Sequence, residues 1–174
     1  MMNDYLFALK YRLPSDVEAT AAVERLGAAG CTDALVGIGI TGRLALEFDR
    51  TAASALDAIT SAMNDVHDAL PLAELIDVGP DLVGVSDIAD FVGVSRQNIR
   101  KLLLSTPGPP LPIHEGTTTL WPLVEVLDWL IANKGYAPQP VLRETALAAR
   151  SVNMERHRLR QSRYTPTDVQ RAVG

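Results

Sequence analysis

The sequence predicts an α+β chain in three parts. Residues 1–79 read as a βαββαβ sandwich of ferredoxin-like order, 80–135 as a small mainly helical unit, and 136–174 as a basic helical extension. Three observations predict this. Apolar residues alternate with period two in four short stretches, they recur three and four apart between those stretches, and Gly79-Pro80 and the Pro138, Pro140 pair interrupt the chain.

Tyr5, Phe7, Leu9, Tyr11 and Leu13 alternate with Leu6, Ala8, Lys10 and Arg12, which marks a first strand. Pro14 stops it, because proline offers no ladder donor. Ser15 or Asp16 then caps a helix to about Ala29, with Gly30 as terminator. Ala34, Val36, Ile38 and Ile40 form a second strand face and Leu44, Leu46 and Phe48 a third, joined at Thr41-Gly42, where glycine accepts positive φ. Asp49 or Thr51 opens a second helix with Ala55, Leu56, Ile59, Met63, Val66 and Leu70 on one face. Leu72 to Val78 is a short fourth strand. That order implies one antiparallel sheet with both helices on one side.

After Gly79-Pro80 come a helical hairpin, a connection with Pro107, Pro109, Pro110 and Pro112, a hairpin signal at His114 to Trp121, and a helix from Pro122 to Lys134. Val141 to Tyr164 is a third helix, rich in alanine and arginine, with a loose tail after Thr165.

With 47% hydrophobic and 21% charged residues, the composition is that of a globular chain. No apolar run approaches the roughly 18 residues that span a bilayer. The start Met1-Met2-Asn3-Asp4 lacks a basic and apolar leader, and the lone Cys31 suits a reducing compartment, so a cytoplasmic location is expected. The net charge of −5 divides unevenly. Residues 1–80 hold 5 basic and 12 acidic groups, 81–135 hold 4 and 6, and 136–174 hold 7 and 3. Such asymmetry suggests parts with separate tasks.

The densest signal lies between Val85 and Leu103. Ser86 caps a first helix with Asp87 in its opening turn, and Gly93 permits a sharp bend. Ser95 caps a second helix, and Asn98 bonds back to it as in a capping box. Ile88, Val92, Val94, Ile99 and Leu102 face inward, which leaves Arg96, Gln97, Asn98, Arg100 and Lys101 outward. Arginine and lysine suit phosphates and guanine, while glutamine and asparagine suit adenine. The stretch Val83 to Leu102 resembles the helix-turn-helix of excisionase, AlpA and MerR-like proteins through its Ala89, Gly93 and Ile99 spacing, and Pro110 to Leu130 resembles their wing and closing helix.

About 50 residues carry that resemblance. It implies a winged helix-turn-helix that reads the major groove with the helix 95–104 through Ser95, Arg96, Gln97, Asn98, Arg100 and Lys101. His114, Thr117 and Thr118 would form the wing, although relatives place a basic residue where this chain has Thr117 to Leu120.

Other motifs have plainer readings. Gly37-Ile-Gly-Ile-Thr-Gly42 matches a dinucleotide fingerprint, but Arg43 to Phe48 continues as a strand and no helix receives the pyrophosphate. His67, His114 and His157 fall on separate elements without ligand spacing. Trp121 and Trp129 fit core packing beside Leu123, Val126, Leu127 and Leu130. No catalytic grouping, metal site or cofactor site is expected. The arginines of the last helix (Arg143, Arg150, Arg156, Arg158, Arg160 and Arg163) read as a solvated or partner-binding face.

Three functional readings follow. The first is a sequence-specific DNA-binding regulator of double-stranded DNA, either a transcription factor or a recombination accessory protein. The second is a protein-interaction adaptor or antitoxin-like partner, with the helix-turn-helix as scaffold. The third is a small-ligand sensor in the N-terminal unit. A homodimer or protein partner is expected through the N-terminal unit or the C-terminal helix.

Overall fold

Alternation in the first strand decides which side of the sheet is dry. The computed structural model describes residues 1–105 and 108–162. The expectations at Pro107, Arg163, Tyr164 and the tail after Thr165 lie outside the described residues. β1 (Asn3–Arg12) pairs antiparallel with β3 (Arg43–Ala52) on one side and with β4 (Glu74–Gly79) on the other. β2 (Ala34–Gly37) lies outside β3, so the order is β2-β3-β1-β4. α1 (Ala19–Ala28) links β1 to β2, and α2 (Ala55–Ala69) links β3 to β4.

Tyr5, Phe7, Leu9, Tyr11, Leu44, Leu46 and Phe48 are buried, whereas Leu6, Lys10, Arg12, Glu47 and Asp49 are exposed. Phe7 stacks on Phe48 directly across the strands, with centroids 5.1 Å apart. Ala22 and Leu26 of α1 and Ala58, Ile59, Ala62 and Val66 of α2 close this dry face.

Several expected boundaries move. α1 does not begin at Ser15 or Asp16. The chain first turns, with the Val17 N–H on the Pro14 carbonyl at 3.1 Å, and the helix starts after Glu18. β3 runs on to Ala52 because Asn3 still pairs with it. The cap of α2 is therefore Ser54, not Asp49 or Thr51, and its Oγ accepts the Asp57 N–H at 3.1 Å. β2 stops at Gly37, since Gly37 and Gly39 break the side-chain packing a strand needs. Ile38 and Ile40 are exposed loop residues, while the Thr41-Gly42 turn stands, closed by the Arg43 N–H on the Ile40 carbonyl at 2.9 Å with Gly42 at φ 72°.

A second core follows the cis Gly79–Pro80 bond. β5 (Leu82–Val83) pairs with β6 (Trp121–Pro122), and α3 (Val85–Val92), α4 (Arg96–Ser105) and α5 (Leu123–Lys134) pack around them. Ile88, Ile99, Trp121, Leu123 and Leu127 are buried, and the Trp121 indole N–H donates to the Pro110 carbonyl at 3.2 Å. α3 is capped two residues earlier than Ser86 implies, at Gly84. The free N–H of Gly84 donates to the Asp87 carboxylate at 2.9 Å. Gly93 adopts φ 74° and permits the bend into α4.

α6 (Pro140–Gln161) departs most from expectation. It is not a solvated arm: Thr145, Ala146, Ala148, Ala149 and Asn153 are buried, and the helix packs against α2, β1, β4 and α5. Small residues let its backbone come close. Three polar side chains then fix its position. The Val78 N–H donates to Asn153 Oδ1 at 2.9 Å, while Asn153 Nδ2 donates to the Val78 carbonyl and to Asp81 Oδ2, each at 2.8 Å. Glu144 accepts from the Tyr5 hydroxyl at 3.0 Å and from the Ala55 N–H, at the start of α2, at 2.9 Å. Arg143 forms an ion pair with Asp128 of α5.

The Asn153 amide serves Val78 as a neighbouring strand would, at the outer edge of β4. Truncating it strands a buried N–H, a carbonyl and part of a carboxylate. Asn153→Ala is expected to lower unfolding free energy by about 2–4 kcal/mol in urea titrations, whereas Leu147→Ala on the exposed side of α6 stays within about 0.5 kcal/mol.

Candidate functional site

The structure leaves each of the expected reading residues exposed. Ser95, Arg96, Gln97, Asn98, Arg100 and Lys101 are all solvent-accessible, as are His114, Thr117 and Thr118. Ser95 caps α4 as expected, accepting the Asn98 N–H at 3.2 Å. The Asn98 side chain does not return to the cap; its amide donates to the Tyr136 hydroxyl at 3.2 Å. The expected wing is a single bridge between His114 and Leu120. Its tip residues Thr117 and Thr118 carry no charge. Asp87, Asp90 and Glu115 are exposed in the same segment.

A different surface is built with more polar contacts. β2 forms one outer edge of the sheet, and the strand beside it on the inner side is β3. Leu35 is 71% exposed, Ile38 51% and Ile40 69%, and Leu6 on the open face is 68% exposed. Glu47 lies directly across from Leu35, and Asp49 faces Leu6. The open face near β2 is thus apolar with an acidic margin.

Arg50 holds this edge in place. Its Nε and a terminal nitrogen donate to the two Asp33 oxygens at 2.6 and 2.9 Å, a bidentate fork immediately before β2. The same guanidinium reaches Asp65 at 2.8 Å and Ser61 at 3.0 Å on α2, and it lies 5.1 Å from the Phe48 ring centroid. The Asp49 N–H also donates to the Asp33 carbonyl at 3.3 Å. The hydrogen bond from Arg50 pulls the Asp33 carboxyl below its usual range, against a smaller opposing effect of burial. The hydrogen bond with Asp33 raises Arg50.

Burial, and then the Asp33 charge, push the Cys31 thiol up. Burial, with Cys31 adding to it, raises Tyr11 to about 12. Cys31 is a buried free thiol, and at neutral pH it is a packed apolar group rather than a nucleophile. None of these four residues carried a local motif. Their signal would have been the hydrogen-bonding partners that only folding assembles.

His67, His114 and His157 are exposed on separate elements, and among the described residues no cluster of His, Cys, Asp or Glu is placed to hold a metal ion. The glycines from Gly37 to Gly42 lead into β3 and not into a helix. Among the described residues no helix is long and apolar enough to cross a membrane.

No family model and no curated protein matches this chain. Among solved structures, one from Porphyromonas gingivalis W83, described as a C-terminal regulatory domain of aspartate kinase, is similar at 14% identity with a TM-score of 0.32. The match covers 78% of this chain and 94% of that one.

The expectation of a sequence-specific DNA-binding regulator is therefore corrected. The helix-turn-helix families suggested by Val83 to Leu130 find no match among family models or curated proteins. The physical reason for the misreading is visible around α4. Exposed Arg96, Gln97, Arg100 and Lys101 are what any solvated amphipathic helix presents. Residues 81–135 carry 4 basic and 6 acidic groups, and the wing tip lacks a cation, whereas affinity for a duplex comes largely from neutralising phosphates.

The Arg50 fork makes stability depend on pH. A carboxyl lowered in the folded state contributes stability above its ordinary pKa and loses it as pH falls toward the lowered value. In urea titrations the difference between the wild-type chain and Asp33→Asn is expected to be full at pH 7. It should shrink steadily below about pH 4, the ordinary aspartate range.

Proposed function

We propose that this chain is a protein-interaction adaptor, acting by binding rather than catalysis. In this reading, residues 1–79 form the interacting unit and receive an extended segment of another chain along β2. The hairpin of α3 and α4, helix-turn-helix-like in outline, serves with α5 as scaffold, and α6 braces the two. The single buried thiol suits work in the cytoplasm.

One observation carries the proposal: the two edges of the sheet are treated differently. The β4 edge is covered, with the Asn153 amide occupying the Val78 N–H and carbonyl. The β2 edge has no such cover among the described residues, and exposed Leu35, Ile38 and Ile40 cluster there. An open apolar edge invites strand pairing and is usually blunted with charge or proline. Strand addition would satisfy its backbone groups, with alternate side chains giving selectivity. Glu47 and Asp49 line the adjoining face, and residues 1–80 carry 5 basic and 12 acidic groups, so the fitting partner alternates apolar with basic side chains.

The test is to isolate the chain with its bound partner from its native cells and measure amide exchange in the complex. Slower exchange across 34–40 is expected. Leu35→Lys should weaken the complex roughly tenfold or more, since it removes an apolar contact that the partner would cover and opposes a basic partner. A complex that protects a different surface, or that tolerates Leu35→Lys, refutes the reading.

A further inference from the structure

We propose that the basin beside the end of β1 and the start of β3, where Arg12, Arg43, Arg156 and Arg160 converge, binds a small polyanion, a molecule bearing two or more adjacent phosphate or carboxylate charges. The β2 edge plays no part in this site.

The basin is a cavity of about 680 Å³ lined by those four arginines together with Glu74, Leu75 and Ile76. Ligand sites for small molecules span about 300–1,000 Å³. Four guanidiniums against one carboxylate leave a local charge of +3 on a chain whose net charge is −5. Nothing in the composition of residues 1–80 favours such a concentration.

The geometry is unfavourable without a ligand. Arg12 and Arg43 lie directly opposite each other across β1 and β3, an arrangement of like charges that costs stability. Glu74 pairs with Arg12 and so compensates for one of them. Among the described residues, the side chains of Arg43 and Arg160 have no hydrogen bond or ion pair. Among the described residues Arg156 Nε is buried without a hydrogen-bond partner, and a terminal nitrogen of the same group sits 2.8 Å from His157 Nε2.

Guanidinium groups present fixed forks that match the oxygens of phosphate and carboxylate two at a time. An anion in this basin would supply partners for the unpaired donors and offset the repulsion across the strands. The elements come from distant parts of the sequence: the end of β1, the start of β3, the start of β4 and the last turns of α6. Concavity favours a small molecule over a polymer, which would need a basic stripe running beyond the basin.

The test is calorimetric titration of the full chain with inorganic pyrophosphate and, separately, with citrate, at fixed ionic strength. Saturable binding of at least one is expected, and the preferred probe tells phosphate from carboxylate chemistry. Arg43→Ala and Arg160→Ala should each weaken that binding about tenfold or more, the loss of one charge-assisted contact. Their urea midpoints should not fall below that of the wild-type chain, since neither side chain has a partner to lose and Arg43→Ala relieves the repulsion from Arg12. Glu74→Gln should tighten binding by about fivefold, because a unit negative charge a few ångströms away is removed in a water-exposed site.

Failure of both probes to bind overturns the proposal. So does binding that the three substitutions leave unchanged.

Discussion

A single asparagine on the last helix holds the two halves of this chain in register. Asn153 supplies the hydrogen bonds that a further strand would have made to Val78, and its amide also bonds Asp81. Asp81 in turn accepts the Leu123 N–H through its carbonyl at 2.7 Å, at the entrance to α5. Burial raises the Asp81 carboxyl, while the Asn153 hydrogen bond and Arg150, 3.7 Å away, act in the opposite sense. Such a group tolerates burial only while its partners remain. The sheet edge, the junction between the cores and the start of α5 therefore share one polar contact set.

That constraint also explains why α6 is rich in alanine. Ala148 and Ala149 belong to the first core and Ala146 to the second, so the helix must approach both closely. Larger side chains would hold it away and pull Asn153 out of reach of Val78. Glu144 makes the same point at the other end of the contact. It meets the unsatisfied N–H at the start of α2, where a carboxylate is also favoured by the helix dipole.

With one edge covered in this way, polar and apolar exposure gathers elsewhere. Leucine and isoleucine side chains collect at β2, whose position the Arg50 fork secures from the dry side. Guanidiniums collect in a separate basin, between the starts of β3 and β4 and the last turns of α6. The two surfaces have opposite chemistry, one apolar with acidic neighbours and one strongly cationic. Separate tasks follow more readily from that arrangement than from the exposed face of α4.

Local periodicity by itself determined the first part of this protein. Alternation from Tyr5 to Leu13 and from Leu44 to Phe48 specified which face of each strand is buried, because side chains of a strand alternate strictly. Gly30 and Gly93 marked helix ends through their left-handed backbone. Helix starts were less legible, since Ser15 and Thr51 cap as well as Ser54 does until strand pairing decides how far β3 extends. The role of α6 was not legible at all. Its arginines looked like a solvated face because the residues they meet, Asp128, Asp81 and the basin at β4, lie on other elements. Charge and hydrogen-bond partners are matters of proximity, and only tertiary packing brings residues 70 or more positions apart within reach.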